Sequence, residues 1–174
     1  MVFKNNRTFR ELLALYNLPD DFSFPLELPE ELKTLLDAPI VQTDRGLTLA
    51  PFETNDNTAL TGADPAVIED DANHFHVDWY IDPPDSRQAF MLGVKTIHLL
   101  AQKFAAAGIA GMRFVFSFQT PEQGEAQALA AGIHEAGDVY FISDRLSFYK
   151  NKDNNIFLPP DAFDPYAAVL WIEL

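Results

Sequence analysis

Residues 112–119 read Met-Arg-Phe-Val-Phe-Ser-Phe-Gln, which puts Phe114, Phe116 and Phe118 on one side of an extended backbone. Successive side chains of a strand face opposite ways, so the run predicts a strand with a phenylalanine core face. Before it, Phe90, Val94, Ile97, Ala101 and Phe104 recur at helical intervals. They predict one long helix, capped by Asp85 with Gln88 three places on and stopped by Gly108. Residues 74–82 alternate in a strand period, with Phe75, Val77, Trp79 and Ile81 on one face. His74, His76, Asp78, Tyr80 and Asp82 take the other, and Pro83-Pro84 ends the segment.

The weaker patterns complete the outline. Thr8 and Glu11 have capping-box spacing ahead of Phe9, Leu12, Leu13 and Tyr16, which predicts a first helix. Pro29-Glu30-Glu31 opens a short second one that stops before Pro39. Residues 40–42 and 47–50 flank Asp44-Arg45-Gly46 and predict a hairpin. Residues 53–73 are polar and aperiodic, and read as a long loop. Thr120-Pro121 opens a further helix to about residue 136, weakened by Gly124 and Gly132. Strands are expected at 139–143 and 146–150, with a turn at 152–155, and residues 167–174, apolar on both faces, predict an interior strand. The expected fold is a single α+β domain over residues 1–174. Its sheet is mixed or mostly antiparallel, of five to six strands, packed with one long helix and two or three shorter ones. The strand–helix–strand unit around the long helix is compatible with a parallel crossover.

Charge changes the picture. The chain carries a formal net charge of −14, and the 41 residues between Arg45 and Arg87 hold nine carboxylates and no Lys or Arg. Such a block repels itself, so a folded protein gains from keeping it only through solubility or a basic partner. Hydrophobic residues make up 48% of the chain, including 15 Phe, which separates this acidity from that of disordered segments. There is no Cys, hence no disulfide, thiol nucleophile or thiolate metal site. No window suggests a signal peptide or a membrane span, and a cytoplasmic location is expected.

Two constellations could carry chemistry. His74-x-His76-x-Asp78 on a strand would place two imidazoles and a carboxylate on one face, a ligand set for zinc or a similar cation. The spacing resembles the His-x-His-x-Asp of metallo-β-lactamase-type hydrolases, whose ligands sit in a loop followed by further His ligands, whereas His98 and His134 of this shorter chain lack ligand spacing. No tight transition-metal binding is expected, because Asp78 must turn inward from the same strand to complete the set. Carboxylates at 69–71 and 153–155 lack the alternation and glycine of an EF-hand loop. Glycine-rich phosphate loops and nucleophile elbows are absent. Residues 113–118 echo the aromatic strand of an RNA-recognition module, but their Phe residues alternate as a core face does and the net charge repels phosphate.

These patterns point first to a non-enzymatic binding protein that captures a basic protein partner. An inhibitor or immunity protein neutralising a nuclease or toxin would have this character. Asp70, Asp71, Asp78, Tyr80 and Asp82 are the expected contacts, with Tyr80 as an aromatic anchor among steering charges. Neither cofactor, direct nucleic-acid contact nor membrane is implied. The alternatives are a metal-dependent hydrolase using His74, His76 and Asp78, and a small-molecule-binding regulatory domain.

Overall fold

Asn6 starts the first helix and ties it to the other end of the chain. Its buried Oδ1 accepts the N–H of Phe9 and the N–H of Val169, each at 3.0 Å. The computed structural model describes residues 1–54, 63–81, 85–150 and 157–174. In chain order the elements are β1 (Val2–Asn5), α1 (Arg7–Leu15), α2 (Glu30–Asp37), β2 (Ile40–Thr43), β3 (Gly46–Leu49) and α3 (Pro65–Ala72). There follow α4 (Ser86–Ala106), β4 (Met112–Gln119), α5 (Pro121–Ala131), β5 (Ser143–Lys150) and β6 (Ala168–Glu173).

Four strands form an antiparallel sheet in the order β1-β6-β4-β5, and β2 pairs with β3 as a separate hairpin. The protein is thus a single α+β domain. Phe114, Phe116, Phe118, Leu146, Phe148, Leu170 and Ile172 are fully buried on one face of the large sheet. The whole stripe foreseen for α4 packs onto them, with Phe104 edge-on to Phe114 and Phe148 at 5.3 and 5.2 Å. Gly93 lets the helix approach, because a Cβ there would meet the Phe116 ring. Asp85 caps α4 through Gln88 N–H, as its spacing predicts. Thr120 and Gln123 form a full capping box at α5.

The structure corrects several expectations. Thr8 is not the cap of α1. Asp164 accepts its hydroxyl at 2.6 Å and its N–H at 2.9 Å, together with the N–H of Arg7, while Asn6 takes Phe9. Much of the expected loop 53–73 is α3, begun by Asp64 as cap and Pro65 in the first turn. Its buried side chains include Glu69 and Asp70, so it shows no apolar stripe. Residues 74–81 are not a strand: only Phe75 pairs, with Leu146, and Asp78–Tyr80 is a 3-10 turn, while Asp82 lies outside the described residues. Among the described residues every strand pairing is antiparallel, so no parallel crossover is formed there. Residues 139–142 are irregular, α5 stops at left-handed Gly132, and β1 is a strand too short to show alternation. The six strands divide four and two. The turn at 152–155 lies outside the described residues.

Burial raises the carboxyl pKa of Asp164, but hydrogen bonds from Thr8 and from the backbone of Thr8 and Arg7 outweigh it and leave the pKa below the usual value. A depressed carboxylate pKa contributes stability that is present above the unfolded value near 3.8 and is lost as pH falls through the folded value. Asp164→Asn is therefore expected to be less stable than wild type at pH 5 to 7, with the gap closing below pH 4. Urea melts at stepped pH check this, and a gap that widens in acid would contradict it.

Candidate functional site

Asp144 lies at the start of β5, opposite Phe118 of β4, with its side chain wholly buried. Its two oxygens accept the N–H groups of Val77 and Asp78, each at 2.9 Å. That clamp turns the chain away from the sheet just where the alternation would have continued it. His76 and Asp78 consequently close on Asp144, with His76 Nδ1 3.5 Å from Asp144 Oδ1. One ligand atom from each of the three lies within 4.8 Å of the others.

Electrostatics follow from that grouping. The Asp144 hydrogen bond raises the imidazole pKa of His76 above its usual value against the opposing effect of burial. Burial, then the charge of Asp144, raises the carboxyl pKa of Asp78, and His76 only partly offsets them. Asp78 Oδ1 is buried and accepts no hydrogen bond within the protein. His74, the third member of the expected set, is directed elsewhere. Its Nδ1 meets the carbonyl of Asp71, and its ring stands edge-on to His76 at 5.8 Å. The ligand face drawn on a strand through His74, His76 and Asp78 is replaced by one through His76, Asp78 and Asp144.

The same turn inverts the aromatic pair. Trp79, expected inside, is 71% exposed and lies over the His76 ring at 4.8 Å. Tyr80, expected to be the exposed anchor, is partly buried against the core, and burial raises its hydroxyl pKa. Beside Asp78 a cleft of about 380 Å³ is lined by Ser86, Pro121, Tyr140, Phe141 and Ile142. Phe141 and Val139 are as exposed as Trp79, and so is Ile133 next to His134, whose ring stacks on Tyr140 at 5.9 Å. An exposed apolar group of this kind marks an interaction surface more often than chance decoration.

The other expected contacts fall in different places. Asp70 is buried and holds Arg145 at 2.6 Å on the far face of the sheet, so it is not an open partner contact. Asp71 is half-buried beside His74. Asp82 lies outside the described residues. Glu69 accepts the backbone N–H of Leu47 and of Lys150, and Asn73 donates to the carbonyls of Leu47 and Phe148. Together they link the edges of β3 and β5. Asp64 and Asp85 cap helices. The acidic block between Arg45 and Arg87 is therefore partly taken up inside the fold, and Asp78 is its member at the Trp79 turn.

Comparison with family models, with curated proteins and with solved structures finds no match. One signal in the sequence passed unread: the 31 residues between Arg113 and Arg145 also contain no Lys or Arg, and they hold Glu122, Glu125, Glu135, Asp138 and Asp144. Folding brings this second base-free stretch against the first, because every residue of the cleft beside Asp78 comes from one or the other. A second cleft, of about 390 Å³, opens on the far sheet face among Val115, Tyr149, Phe157, Phe163 and Trp171. The arginines beside it are already engaged, Arg145 with Asp70 and Arg113 with Glu173. No helix among the described residues is long and apolar enough to cross a membrane.

Proposed function

We propose that this protein captures a basic protein partner through the surface centred on Trp79. The observation that carries the reading is the exposure of Trp79, next to Asp78 in the chain, and of Phe141, which shares the cleft with Asp78 where the two base-free stretches meet. Exposed aromatics supply area that is desolvated on docking, and acids without neighbouring bases in sequence steer a positive partner to them. An inhibitor that occludes the cationic cleft of a nuclease or similar toxin needs both features and no catalytic group of its own. The metal-dependent hydrolase drawn from a His-x-His-x-Asp strand is the less supported reading, since His74 does not join His76 and Asp78.

The test is a kinetic binding series against basic proteins encoded by adjoining genes and a panel of basic nuclease domains. Raising ionic strength beyond about 0.15 M, where the screening length is near 8 Å, is expected to lower the association rate more than it raises dissociation. Trp79→Ala is expected to speed dissociation about tenfold while leaving association nearly unchanged. Asp78→Lys is expected to slow association. Absence of binding across the series, or binding insensitive to both salt and Trp79→Ala, would overturn the proposal.

A further inference from the structure

The strongest unassigned chemistry lies beneath Trp79. Asp144 and Asp78 are two carboxylates within ligand distance of one another, and the nearest cationic residue in sequence, Arg145, points to the other face of the sheet to pair with Asp70. His76 is the group that faces them. Asp144 Oδ2 uses one lone pair on the Asp78 N–H and keeps another, while Oδ1 accepts the Val77 N–H and faces His76 Nδ1 at 3.5 Å. Asp78 Oδ1 uses none, although it is buried. An orphaned carboxylate oxygen beside a second carboxylate is costly unless a cation satisfies both.

We infer that His76, Asp78 and Asp144 form a binding site for a first-row divalent cation, zinc foremost. One imidazole nitrogen and two carboxylate oxygens are three of the four ligands that zinc takes, and three protein ligands leave one position for water. The present separations, up to 4.8 Å, need closing by roughly 1 Å to reach a coordination shell with bonds of about 2.0–2.2 Å. Asp78 can supply that movement, since its Oδ1 is held by no hydrogen bond. The sequence suggested no such site because the third ligand lies 66 residues from Asp78, on β5. A bound cation would fix the 3-10 turn to the sheet and with it the ring of Trp79 over His76. The site stands whether or not the surface above it captures a protein, and its test uses the metal alone.

The experiment is titration of chelator-treated protein with Zn²⁺ by calorimetry, and with Co²⁺ by visible absorption. Expected are one ion per chain, a dissociation constant at or below about 10 μM, and a melting temperature that rises with Zn²⁺ concentration. His76→Ala and Asp78→Asn, neither of which touches the backbone hydrogen bonds accepted by Asp144, are expected to weaken binding at least tenfold. His74→Ala is the discriminating control and is expected to leave the affinity unchanged, because its nitrogen faces Asp71. Saturation absent below about 100 μM, or binding lost in His74→Ala but kept in Asp78→Asn, would overturn the assignment.

Discussion

Gly93→Ala is expected to lower stability by about 2 kcal/mol or more, although alanine is the better helix former by about 1 kcal/mol. Gly93 lies inside α4 where the helix crosses β4, and an added Cβ would occupy the space of the Phe116 ring. Both that ring and the helix stripe beside it are fully buried. The ring sits among Phe90 and Phe118, at 6.0 and 6.1 Å between centroids. Overpacking must therefore push the helix off the sheet along much of its length. For a domain of this size the loss corresponds to a fall in melting temperature of roughly 4–8 °C. Urea and thermal melts measure it directly. Phe116→Leu in the same chain should recover part of the loss, since residues in contact couple by about 0.5–3 kcal/mol. A Gly93→Ala variant as stable as wild type would mean that α4 stands further from the sheet than the structure shows.

Asp144→Ala is expected to cost about 2–4 kcal/mol, because it leaves the N–H groups of Val77 and Asp78 without their acceptor. The effect should be concentrated in one place. Phe75 keeps its pairing with Leu146, so the variant should fold, but residues 76–80 should loosen from the sheet. Hydrogen exchange at Val77 and Asp78 should accelerate far more than exchange in β4 or α4. Asp144→Asn, which retains one acceptor oxygen, should fall between the two. Since Trp79 is presented by the same turn, both substitutions should also impair the partner capture proposed above. Uniform acceleration across the sheet would show that Asp144 supports the whole fold rather than this turn.

Legibility differed sharply between elements. The α4 stripe and the Phe face of β4 could be read directly, since a buried helix face and a buried strand face each impose a period on the sequence. The caps of α4 and α5 were equally plain, because Asp85 and Thr120 satisfy N–H groups within three residues of themselves. Helix α3 was hidden although Asp64-Pro65 announced its start. What it buries is Glu69 and Asp70, and a helix whose inner face is polar shows no hydrophobic period. Residues 74–82 misled for the opposite reason. Phe75 and Val77 are both buried as a strand would require, and nothing nearby indicates that the next two N–H groups are taken by a carboxylate 66 residues away.

The fold class, the core helix and strand, the hairpin, the excess of negative charge and the presence of His76 and Asp78 in one short segment all follow from the order of residues. They are set by local periodicity, local capping and composition, which no distant contact needs to complete. Which acids stay exposed and which aromatic faces outward depends instead on long-range packing. Burial paired Asp70 with Arg145, Glu69 joined two strand edges, and the Asp144 clamp exchanged Trp79 for Tyr80 at the surface. Each of these depends on a partner far along the chain, and a buried polar group takes whichever partner the fold brings within hydrogen-bond reach.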